Sequence, residues 1–199
     1  MIVASVEPPA EMVHWMFASG FLLLFLLLAT EAIVGVEVWR ARRWRAYLWP
    51  ALLFFLGLML FPVMTFFTNS AIHMLAHGSW AQTMMLAGAA QLGLVSGRLR
   101  SRWWEVTLPL AMLVSGAAVL LHEQNSWLFA RAAFLHHVLG WMLVGAGVLQ
   151  LPRVRWPRAL LTQGALAATL LAAAIILYAD RDLAPIFGHL DALAGVPHR

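Results

Sequence analysis

The sequence predicts an all-α fold: a polytopic membrane protein built as a six-transmembrane-helix bundle, both termini outside, in one domain covering residues 1–199. Three observations carry that expectation. Hydrophobic residues make up 62% of the 199 positions and charged residues only 11%, with a mean hydropathy of +0.80. A soluble domain has roughly a quarter of its residues charged. The chain also divides into six apolar runs, each close to the ~20 residues that cross ~30 Å of hydrocarbon as a helix. Finally, arginines cluster in every second connection between those runs.

The first span covers 13–38. The residues before it carry Glu7 and Glu11 and no positive charge, and the run is too long for the core of a cleavable signal, so it is expected to stay as a helix. The second covers 47–68. Pro50 falls in its first turn, where a missing N–H costs little, and Pro62 lies inside it, where a kink is expected. The third covers 80–97. The fourth covers 103–121, with Pro109 in its first turn. The fifth and sixth cover 132–151 and 159–178. Leu, Phe, Ala and Met dominate, without the short alternating segments of a transmembrane barrel.

Arginine sets the direction. The first connection holds Arg40, Arg42, Arg43 and Arg45, the third Arg98, Arg100 and Arg102, and the fifth Arg153, Arg155 and Arg158. By the positive-inside rule these are cytoplasmic. The expected location is a bacterial cytoplasmic (inner) membrane with periplasmic termini. Nine of the ten tryptophans lie near span ends, as in an interfacial aromatic belt; Trp141 sits inside a span. Gly88, Gly93, Gly97, Gly116, Gly140, Gly145 and Gly147 are expected to permit close helix contacts.

Composition excludes several chemistries. There is no cysteine and no lysine, so thiolate metal sites, disulfides, Schiff-base lysines and P-loops are absent. No nucleophile elbow or pair of catalytic carboxylates is visible, so no catalytic residue is assigned. The arginines sit at span ends, which reads as topology and not as nucleic-acid binding.

The histidines are the functional signal. All eight fall in the outer half: His14, His73, His77, His122, His136, His137, His189 and His198. His73 and His77 share a helical face if the third helix extends back to residue 69 or 70. His122 and Glu123 add ligating groups in the turn after the fourth span. His136 and His137 lie inside the fifth span, about 100° apart around the helix, so one of them faces the core. Intramembrane ionisable residues are functional by default. Helices three to five would thus bring His73, His77, His122, Glu123 and His136 or His137 to one depth. Imidazoles in that number suffice for a transition metal.

The segment Asn-Ser-Ala-Ile-His-Met-Leu-Ala-His at 69–77 resembles the His-Met-x-x-His helix entry of CtaG-type oxidase assembly factors, which are associated with copper delivery. Outward histidines on a small helical bundle are similar to the copper-resistance D (CopD) membrane family. The resemblance covers residues 69–150 and implies a copper-ligand role for His73 and His77.

The leading expectation is therefore copper binding and handling at an outward site, for uptake, delivery or assembly of a copper enzyme. The partner would be a periplasmic metallochaperone or respiratory-complex subunits. The alternatives are a haem b protein with His136 or His137 as an axial ligand, and an accessory or assembly subunit whose histidines only hydrogen-bond. Glu31 has three readings: pairing with an inner arginine, snorkelling, or relaying protons. Met59, Met64, Met84 and Met85 read either as packing or as a thioether path for Cu(I).

Overall fold

A computed structural model describes residues 10–67, 71–121, 130–156 and 160–180. Among the described residues all regular structure is helical: α1 (Ala10–Val34), α2 (Val36–Arg40), α3 (Leu48–Phe67), α4 (Ala71–Val95), α5 (Thr107–Leu121), α6 (Ala130–Gln150) and α7 (Leu160–Tyr178). Short 3-10 turns at Arg43–Tyr47, Arg102–Val106 and Leu151–Val154 lead into α3 and α5 and follow α6. Five stretches are long and apolar enough to cross a membrane: Glu11–Val34, Arg43–Val63, Arg102–Leu121, Ala133–Val154 and Leu160–Tyr178. They mark the chain as an integral membrane protein.

Two helix boundaries differ from the sequence expectation. The first span breaks at Gly35, whose φ of 91° is open to glycine and strained for other residues. The chain resumes as α2, and Arg40 comes back to Glu31, donating from Nε to Oε1 at 2.7 Å. Glu31 is only 1% exposed, so the pairing reading of this residue is the one realised. The third span starts nine residues earlier than expected, at Ala71 and not at Trp80. His77, Gly78 and Ser79 lower the hydropathy there, but no proline interrupts the helical backbone. The same polarity, with Gln82, Thr83 and Gln91, keeps α4 out of the set apolar enough to cross by composition.

The long helices close a ring. α1 packs on α7 and α3, α3 on α4, α4 on α5, α5 on α6, and α6 on α7. Small residues let the backbones approach. A Cβ at Gly88 would stand 2.6 Å from the Phe54 backbone nitrogen, and one at Gly116 would stand 2.8 Å from the Gly140 carbonyl oxygen. Gly57, not singled out in the sequence, holds the same α3–α4 contact: a Cβ there would stand 2.7 Å from the Ala81 oxygen. Gly97 and Gly145, expected to permit such contacts, have nothing within 4 Å of the position a Cβ would take.

The ring has two distinct ends. The three 3-10 turns, with Arg40, Arg43, Arg45, Arg102 and Arg153, gather at one, the arginine end. The first turns of α1 and α6 and Ala179 and Asp180, which follow α7, gather at the other, the histidine end. One buried apolar cluster draws on all six long helices. Inside it, on the bundle axis, a cavity of about 60 Å³ is likewise lined by residues from all six. Two tryptophans expected in the interfacial belt turn inward: Trp49 is 3% exposed, and Trp80 lines this cavity.

Candidate functional site

The histidine end holds a cleft built from five separate helix termini. His14 lies just inside α1, and Asp180 follows directly on α7. Because α1 and α7 pack together, the two meet, and His14 Nδ1 hydrogen-bonds Asp180 Oδ2. Asp180 is 4% exposed. Its backbone carbonyl also accepts from Trp15 Nε1 at 3.2 Å. One turn further in, the Ser19 and Tyr178 hydroxyls bond at 2.8 Å and join the same two helices again.

His136 on α6 enters from across the ring. Its ring centroid is 6.0 Å from that of His14, with the planes 64° apart. His77 on α4 lines the same cleft, with its ring centroid 6.5 Å from Trp80. The cleft has a volume of about 30 Å³, room for an ion with about one or two waters.

This arrangement has a recognisable chemistry. A carboxylate that accepts from Nδ1–H fixes the imidazole tautomer and leaves Nε2 with its lone pair for a metal or a proton. Two imidazoles bound to one ion at about 2.0–2.1 Å hold their ring centroids roughly 5–6.5 Å apart. The His14–His136 spacing falls in that interval. Among the described residues, however, no set of three or more His, Asp or Glu side chains stands close enough to share one ion as placed.

Of the sequence candidates, His77 and His136 are brought together. His137 is not with them: it is exposed, and its Nδ1 bonds the Ala133 carbonyl at 2.8 Å on its own helix. One member of the His136–His137 pair thus faces the bundle and the other faces out. His122, Glu123 and the side chain of His73 lie outside the described residues. Sequence reasoning missed the roles of His14 and Asp180. The available signal was position: each is a titratable residue at the edge of an apolar run, on the histidine side.

A second polar cluster, also missed, seals the arginine end. Glu105 Oε2 accepts from Arg153 Nε at 2.8 Å and from Gln91 Nε2 at 2.9 Å. The Arg153 guanidinium lies 5.8 Å from the Trp49 ring, and Gln150 Nε2 donates to the Thr162 carbonyl at 2.7 Å. Arg153 is 4% exposed and Gln150 is 0%, so this arginine is a structural charge as well as a topological one. Its burial is tolerated because Glu105 neutralises it and Gln91 bridges the pair.

No protein-family model, curated protein or solved structure matches the chain.

Proposed function

We propose that this chain binds and hands on a copper ion at an outward-facing site in a bacterial inner membrane. The observation that carries the reading is the meeting of His14, His77, His136 and Asp180 in one cleft, from segments far apart in sequence. Imidazole suits copper, and a carboxylate-oriented histidine is the usual partner of a bound metal. The cleft's volume of about 30 Å³ accommodates an ion.

In this reading all six long helices span the membrane. α4, at 25 residues, would be about 37 Å long, and its polar Gln91 is covered by its neighbours. The arginine end is cytoplasmic by the positive-inside rule, and both termini are outside with the histidines. A periplasmic metallochaperone or a respiratory-complex subunit would donate or receive the ion by ligand exchange.

The test is metal analysis and Cu(I) titration of the full chain, purified in detergent without chelator. About one tight copper per chain, lost in the His14→Ala/His77→Ala/His136→Ala variant, is the expected result. A wild-type chain that binds no copper, or a triple variant that binds it undiminished, would overturn the proposal. A Soret band in the purified protein would move the assignment to haem.

A further inference from the structure

One face of α4 runs the length of the bundle axis. His77, Trp80, Met84, Ala87 and Gln91 recur at intervals of three and four residues, the spacing of a single helical stripe. The structure puts this stripe on the inside throughout. His77 lines the histidine cleft, and Trp80 is a wall of both the cleft and the central cavity. Met84 and Ala87 line the central cavity. Gln91 belongs to the buried cluster at the arginine end. The cleft and the cavity are therefore neighbours divided by Trp80 and by Leu139, their other shared wall.

The chemistry of the cavity is soft. Met112 of α5 lines it with Met84, and the two are 8% and 5% exposed. Its wall also carries the hydroxyls of Ser115 and Thr169 and the indoles of Trp49 and Trp80. No carboxylate borders it among the described residues, so a hard divalent ion would find only neutral hydroxyls there to replace its water. A monovalent soft ion is different: thioethers favour Cu(I), and an indole face attracts a desolvated cation. Of the methionines singled out in the sequence whose side chains are described, Met84 lines this cavity. Met85 packs instead at the α3–α4 crossing, 2.9 Å from the position a Cβ on Gly57 would take.

We propose that the central cavity is a second copper station, in which the Met84 and Met112 thioethers hold Cu(I) beneath the Trp80 indole, loaded from His77 in the cleft above. The station rests on the copper reading of the cleft and makes that site the entrance to a route along the bundle axis. Copper stays monovalent throughout, so the transfer is ligand exchange: an imidazole nitrogen leaves the ion as a thioether sulfur arrives.

The experiment uses the full chain in detergent, titrated with Ag(I), a closed-shell stand-in for Cu(I), and separately with Zn(II). The wild type should bind two Ag(I) and no more than one Zn(II). Met84→Leu/Met112→Leu conserves volume and should keep the fold. It should lose one Ag(I) and keep the other, whereas His14→Ala/His77→Ala/His136→Ala should lose the ion that the methionine variant keeps. X-ray absorption of the Cu(I)-loaded wild type should show sulfur neighbours, a readout that needs no variant. Two Ag(I) in the methionine double variant, or a copper spectrum without sulfur, would overturn the station and leave the cleft standing. A wild type that binds neither Ag(I) nor Cu(I) would overturn both.

Discussion

Asp180→Asn isolates the part of the cleft that orients without ligating. The substitution keeps the shape of the side chain and leaves the Asp180 backbone carbonyl, which holds Trp15, untouched. The contact between α1 and α7 also survives through Ser19 and Tyr178. What changes is the partner of His14 Nδ1. A carboxylate only accepts, and so holds the proton on Nδ1 and the lone pair on Nε2. An amide can also donate its NH₂ to Nδ1, which moves the imidazole proton to Nε2 and blocks the ligating atom. Losing such an outer partner weakens metal binding 10–100-fold, or about 1.4–2.7 kcal/mol. The assay is competition titration of Cu(I) against a chromophoric chelator, with a melting curve to show that the fold is intact. An affinity within twofold of wild type would refute the orienting role. A loss as complete as that of the triple histidine variant would make Asp180 a direct ligand instead. His137→Ala, on the exposed face of α6, should leave the affinity unchanged in the same assay.

The other predictions concern pH, stability and topology. Copper affinity should fall as the medium is acidified, because protons compete with the ion for the imidazole nitrogens; an affinity that does not change between pH 8 and pH 5 would exclude histidine ligation. Arg153→Met strands the Glu105 carboxylate and should cost about 3–5 kcal/mol, whereas Arg153→Met/Glu105→Leu should recover much of that; unfolding in detergent–denaturant mixtures reads both. Gly88→Val drives a side chain into the Phe54 backbone and should lower the melting temperature, by several degrees for each ~1–2 kcal/mol, while Gly145→Ala meets nothing within 4 Å and should be near neutral. The chain has no native cysteine, so Ser101→Cys is a clean topology probe. It should react with an impermeant maleimide only after the membrane is opened, and labelling of intact cells would invert the orientation.

The helical architecture was largely legible because lipid imposes a one-dimensional rule. A spanning segment must satisfy its own backbone hydrogen bonds and be apolar along its length, so hydropathy read in order finds it. The same reading failed where polarity is turned inward. α4 was cut short at Trp80 because His77 and Ser79 look like a loop by hydropathy, whereas the ring places the His77 edge of the helix against the cleft. Arg153 was read as a topological charge, and only packing brings it onto Glu105, 48 positions away.

The sequence by itself determined an all-α, membrane-embedded chain, the bias of histidine to one end and arginine to the other, and the three-and-four spacing that puts His77, Trp80 and Met84 on one face. These are local properties, set by composition and helical period. Which of those groups meet was decided by tertiary structure alone. His14 and Asp180 are 166 positions apart, and they pair because the ring closes through α1 and α7. Met84 shares a cavity with Met112, and His77 a cleft with His136, for the same kind of reason. Closure depends on which small residues let which helices approach, a property of pairs of helices that no single stretch of sequence encodes.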